Sequence, residues 1–150
     1  MAKEREPFSE ISQSLIGRPY KLGETDCFAV VVQYLKRVGV KCAYEFKEVT
    51  LDNYADLFNE SPQAAKALMV EYLDAHLKQI EPIKAFCRDI MLLQLRPEFA
   101  ISESSLCNNS LQVPFLGING GNGVFISAAP GLGVAVTSMS YYKILKAWRI

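Results

Sequence analysis

Cys27, Val30, Val31, Tyr34, Leu35 and Val38 fall at i, i+3, i+4, i+7, i+8 and i+11. That spacing predicts a helix with one broad apolar face. A face so wide needs a second layer of structure to cover it. Gly39 ends the pattern, as glycine does after a helix C-terminus. Asp26 precedes it as an N-cap, whose carboxylate satisfies backbone N–H groups left unpaired by the first turn. The second half of the chain changes character. Asp89-Ile-Met-Leu-Leu-Gln-Leu95 is a short apolar run that suits a buried strand, closed by Pro97. From Val113 onward, β-prone segments alternate with glycine punctuation, predicting strands near 113–118, 123–128, 134–138 and 147–150. The turns between them are Asn119-Gly-Gly-Asn-Gly123 and Pro130-Gly-Leu-Gly133. Helices first and strands second predict an α+β chain with an antiparallel sheet built largely from local hairpins.

Two further helices are expected. Phe8, Ile11, Leu15 and Ile16 share a helical face that Gly17 and Pro19 terminate. Ser61 is a capping residue with Pro62 at the first helical position. The apolar pattern that follows runs through Ala65, Leu68, Met69, Tyr72, Leu73 and Ile80 to Pro82. Residues 51–58 read as one or two helical turns, and 101–110 as a polar loop. With 150 residues, half of them apolar, the chain suits one domain over 1–150 with a core that needs neither disulfides nor metal.

Sixteen basic residues balance sixteen acidic ones, so the surplus of cations that binds nucleic-acid phosphates is missing. The longest apolar run, Phe28 to Val32, is far too short to span a bilayer. The charged start of the chain lacks the apolar run of a signal peptide, so folding in the cytosol is expected. Cys27, Cys42, Cys87 and Cys107 lack the close spacing of a zinc site, and there is one histidine. No cofactor or metal is expected, and the cysteines other than Cys27 are read as buried thiols.

Cys27 stands apart by context. A thiol in the first turn of a helix lies near unpaired N–H groups and the positive end of the helix dipole, both of which favour thiolate. Acyl chemistry would also require an adjacent base. The one histidine, His76, lies four residues after Tyr72 and four before Ile80, on or beside the buried stripe of its helix. It could serve Cys27 only if that helix crosses the Cys27 terminus. Asn119–Gly123 lacks the Lys-Ser/Thr of a phosphate-binding loop and reads as a hairpin turn. Tyr141, Tyr142 and Trp148 read as core and sheet edge.

The segment Ile16-Gly-Arg-Pro-Tyr-Lys-Leu-Gly-Glu-Thr-Asp-Cys27 resembles the nucleophile segment of NlpC-type papain-like cysteine peptidases, in which Gly-x-Pro-Tyr-x-x-Gly leads into Asp-Cys at a helix start. Arg88-Asp-Ile-Met-Leu-Leu93 is similar to that family's Gly-Asp-Leu-Val-Phe-Phe strand. Gly117–Ala128 resembles its catalytic hairpin, and 133–150 its last strands. The resemblance covers about two-thirds of the chain and implies a papain-like fold with N-terminal helices, a helical insertion over 43–85 and a C-terminal antiparallel sheet. It also implies the nucleophile position for Cys27. The catalytic His position falls on Phe115 and a further family His on Ser127, so the resemblance implies a scaffold without its imidazole and without efficient peptidase activity.

Gly-Glu-Thr-Asp-Cys together with a terminal Ala-Trp-Arg-Ile resembles small proteins encoded among bacteriophage and prophage tail genes. That implies a virion component of the tail tip or of tail assembly, with other tail proteins as partners. The competing expectation is a cysteine peptidase or amidase acting on peptidoglycan, with His76 as base. A third is a bacterial binding or immunity-type protein on the same fold.

Overall fold

The structure is a computed structural model that describes residues 8–21, 26–39, 56, 60–100, 114–129 and 132–150. The expected helical turns at 51–58, the loop at 101–110, Cys42 and Cys107 lie outside the described residues, Asp56 excepted. The chain order is α1 (Phe8–Leu15), α2 (Cys27–Arg37), α3 (Pro62–His76), β1 (Lys78–Ile80), β2 (Ile90–Leu95), a four-residue helix at Pro97–Ala100, β3 (Phe115–Gly121), β4 (Val124–Ala129), β5 (Gly133–Ser138) and β6 (Tyr142–Arg149). The six strands form one sheet in the order β1-β6-β2-β3-β4-β5, with every neighbouring pair antiparallel. This is the α+β mix expected from helices first and strands second.

Helix α2 begins and ends where its sequence signals place it. The Asp26 carboxylate accepts from Phe28 N–H at 2.9 Å and Ala29 N–H at 3.0 Å. Gly39, at φ +86°, takes the chain away from its other end. Ser61 accepts from Ala64 N–H at 3.3 Å to open α3, with Pro62 in its first turn. The three helices pack on one face of the sheet. There Ile11, Val31, Leu35, Met69 and Leu73 meet Ile90, Leu116, Ile118, Ile126 and Trp148 in one buried cluster. Each fully buried Val, Leu or Ile of this layer contributes about 1.5–3 kcal/mol. The opposite face carries a smaller cluster of Met91, Leu93, Phe125 and Ala147, with Phe115 and Tyr142 packed against it.

Several boundaries differ from the sequence reading. Helix α3 stops at His76, and Lys78–Ile80, read as its last turn, pairs with Ala147–Arg149 as a strand. The segment 43–85 is therefore not helical throughout. Strand β6 starts five residues before the expected Ala147. It pairs with β2 through an irregular register at Leu92/Leu93. Strand β3 runs on through Asn119–Gly121, so the hairpin turn shortens to Asn122 (φ +55°) and Gly123 (φ +75°). Two consecutive positive φ values are the requirement of the two-residue type I′ turn that Asn-Gly favours. Cys87 is half-buried rather than enclosed.

Two contacts position the segments around the future site. Val134 N–H donates to Arg18 O at 2.9 Å and Gly17 N–H to Val134 O at 2.8 Å, so the turn before α2 is pinned to β5. At the other end of the sheet the buried Asp89 carboxylate accepts from Arg149 Nε at 3.1 Å and Nη2 at 2.9 Å, tying the start of β2 to the end of β6. Arg88, just before, holds φ +81°, a conformation that costs a residue with a side chain roughly 1–2 kcal/mol.

Arg88→Gly should accordingly be more stable than Arg88→Ala by about 1 kcal/mol in urea denaturation; equal stabilities would contradict the strain. Gly133→Ala should lose at least about 2 kcal/mol, because strain at φ +72° adds to a clash between the new Cβ and the Arg18 carbonyl. A wild-type denaturation midpoint for Gly133→Ala would show that turn and strand are not so closely apposed.

Candidate functional site around Cys27

Cys27 opens α2, directly after the capping Asp26, which is only 3% exposed. The helix start meets β3, and the backbone of Leu116 and of Phe28 hydrogen-bonds the sulfur. The Cys27 residue is half-buried, as Cys87 is, and loss of hydration around its sulfur is the largest influence on the thiol, pushing it up to about 11. The Leu116 backbone opposes that rise, the Asp26 carboxylate adds to it, and Lys66 and the Phe28 backbone oppose it again. Favourable helix-terminus electrostatics are present, as the sequence suggests, but desolvation outweighs them.

Lys66 and Tyr20 complete the surroundings. Burial pulls the half-buried Lys66 ammonium down to about 8, with Cys27 pulling the other way. Burial, then Asp26, then Cys27 push the Tyr20 phenol up to about 12. The site is a desolvated cluster of thiol, phenol, amine and one capping carboxylate. Its protonated forms dominate at neutral pH for the thiol and the phenol. Neither Lys66 nor Tyr20 was singled out from the sequence. A signal for Lys66 was there: it shares a stripe with Met69 and Leu73 at i, i+3 and i+7, and both of those are buried.

The other candidates are placed as follows. The Phe115 ring points to the sheet face away from the helices, against Phe125 at 5.8 Å and Tyr142 at 5.4 Å between centroids. The strand residue that meets the sulfur is its neighbour Leu116, so the ring of Phe115 does not cover the thiol. Ser127 follows Phe125 at i+2 and so shares its face. Its hydroxyl donates to Leu116 O at 2.6 Å. Ser127 thus touches the far side of the peptide whose backbone meets Cys27, and it acts on the site only through that peptide.

His76 is the last residue of α3, its ring 4.6 Å from that of Tyr72, which in turn lies 5.5 Å from Phe28. The α3 residue whose charge acts on Cys27 is Lys66, and His76 lies about 15 Å farther along the helix axis at 1.5 Å per residue. Two aromatic rings stand between the imidazole and the start of α2. Among the described residues no three His, Cys, Asp or Glu side chains converge to hold a metal. No described helix is long and apolar enough to cross a membrane.

The balance of charges gives a signed test. Asp26→Asn keeps a capping side chain but removes a carboxylate, so alkylation of Cys27 at fixed pH should accelerate. Lys66→Met removes the opposing ammonium and should slow it. Rates followed by peptide mapping at Cys27 would contradict the account if both variants moved them the same way. Comparison with protein-family models and with curated proteins finds no match for this chain.

Proposed function

We propose that this chain is a non-catalytic structural component of a bacteriophage tail, at the tip or in its assembly, built on a degenerate NlpC-type papain-like scaffold. The observation that carries the reading is the state of the thiol. Cys27 stands at a helix tip against the first strand of the β3–β4 hairpin, yet its sulfur is desolvated and raised to about 11. A nucleophilic cysteine needs the opposite shift, supplied by an imidazole or another cation at close range. General acid–base catalysis contributes about 100- to 10,000-fold, and no imidazole stands beside this sulfur to supply it.

The order of elements supports the scaffold. A capped Asp-Cys helix is followed by a strand, β2, that begins directly after Arg88-Asp89, and then by a glycine-turned hairpin. Arg88 occupies the place of the glycine in the Gly-Asp-Leu-Val-Phe-Phe pattern, and its φ of +81° is one that glycine adopts without strain. The tail assignment rests on the resemblance of Gly-Glu-Thr-Asp-Cys and Ala-Trp-Arg-Ile, with neighbouring tail proteins as partners. On this reading the chain is made in the host cytosol and ends in the virion.

Lys66 favours a second reading, a thiol–lysine dyad acting on peptidoglycan peptides. Burial raises the thiol and lowers the amine, so transfer of the Cys27 proton to Lys66 runs uphill. The dyad is therefore the weaker reading.

Purified tail particles should contain the chain in fixed copy number, with Cys27→Ser incorporated as well as wild type. The isolated chain should leave peptidoglycan peptides containing γ-D-glutamate intact over hours. Hydrolysis abolished by Cys27→Ser and by Lys66→Met would replace this proposal with the dyad, and exclusion of the chain from particles would remove the tail assignment.

A further inference from the structure

A second feature lies at the other end of α2, about 16 Å along an eleven-residue helix from Cys27. A cavity of about 220 Å³ opens there between α1, the C-terminal end of α2 and the start of β2. Its walls include Phe8, Tyr34, Val38, Phe86, Cys87 and Arg88. A cavity of about 150 Å³ with apolar walls holds a benzene ring, so this one has room for a ring and one polar substituent.

One of the two arginines at its rim carries no ion pair among the described residues. The wall carboxylate, Asp89, is only 3% exposed and is saturated: it accepts from both Arg149 nitrogens and from Phe86 N–H at 3.0 Å. Arg149 is itself occupied, with its Nη2 donating to Lys84 O at 3.2 Å and its guanidinium 4.1 Å from the Phe86 ring centre. The Arg88 guanidinium is different. It lies 6.0 Å from the Phe8 ring centre and meets no carboxylate among the described residues. Arg149 is thus paired with Asp89, while the Arg88 guanidinium has no ion pair among the described residues and shares the wall with the terminal residue Ile150.

The backbone of Arg88 sharpens the point. Its N–H donates to Asn119 O at 2.7 Å and its carbonyl accepts from the Tyr34 hydroxyl at 3.3 Å. A glycine would make both bonds without strain at φ +81°. The side chain is therefore held at this rim against the backbone preference, the kind of strain that accumulates at ligand sites.

We propose that this cavity binds an organic carboxylate on a small aromatic or branched apolar body, the carboxylate forked by the Arg88 guanidinium and the body seated among Phe8, Tyr34, Val38 and Phe86. A planar guanidinium matches a carboxylate in two parallel hydrogen bonds, and apolar walls with one directed polar group are the usual make-up of a small-ligand pocket. The same chemistry is offered by a free small acid and by the C-terminal end of a polypeptide. The inference does not depend on the tail assignment.

The test is a heteronuclear NMR titration of the intact chain with phenylacetate, with its uncharged analogue phenylacetamide, and with a pentapeptide ending in phenylalanine, its terminus free or amidated. Phenylacetate or the free-ended peptide should shift the amide signals of Phe8, Tyr34 and residues 86–88. The matching amides should bind at least tenfold more weakly. Arg88→Gly, which relieves strain and keeps the rest of the spectrum, should weaken carboxylate binding at least tenfold. Tighter binding of the free-ended peptide identifies a chain end as the ligand, and tighter binding of phenylacetate a free acid. Absence of shifts with both carboxylates, equal binding of the amides, or undiminished binding by Arg88→Gly would each overturn the proposal.

Discussion

The Asp26 carboxylate is the contact on which the site depends. By accepting two backbone N–H groups of α2 it fixes the residue at which the helix begins, and so fixes where the Cys27 sulfur emerges. The helix then buries Val30, Val31 and Leu35 beneath the sheet, which leaves its first turn facing β3. The same carboxylate places a negative charge beside the sulfur and raises its pKa. One group thus builds the geometry of a nucleophile and works against its ionisation. A helix terminus favours thiolate by a modest electrostatic term, whereas burial of a charge in an apolar layer costs more. In this molecule the second effect wins.

The two faces of the sheet divide the candidates. Leu116, Ile118, Ile126 and Trp148 face the helices, and Trp148 closes that layer by donating to Asp74 at 2.8 Å. Phe115, Phe125 and Tyr142 form an aromatic group on the other side. Strand geometry sends neighbouring side chains to opposite faces, so an offset of one residue in β3 decides whether a side chain confronts the thiol or turns from it. What meets Cys27 is backbone from Leu116, with Lys66 acting on the sulfur through its charge.

Much of the architecture was legible because its signals are local. Asp26 and Gly39 bracket α2, Ser61 and Pro62 open α3, and Asn122-Gly123 turns the β3–β4 hairpin. Where reading failed, a distant partner decided. Lys78–Ile80 continues the helical repeat of α3, since Ile80 lies seven residues after Leu73, yet three residues of β6 pair with it. Lys143 and Lys146 interrupt the apolar pattern of β6, although both pair with β2 inside the strand. Asn119 resembles a turn residue, and its side chain does accept Gly121 N–H at 2.8 Å as in an Asx turn, yet it lies within β3, where the register with β4 is irregular. The candidate site was half legible. Its thiol announces itself by position, while Lys66 is marked only by sharing a helical stripe with Met69 and Leu73.

The central claim is that the Cys27 sulfur is a neutral thiol at physiological pH. The direct measurement is a ¹³Cβ-cysteine NMR titration of the folded protein, with Cys27 assigned by its absence in Cys27→Ser. A midpoint near 11 is the expected result. A midpoint at or below about 7, the range of activated cysteines, would mean that a charged partner reaches the sulfur, and the non-catalytic reading would fall.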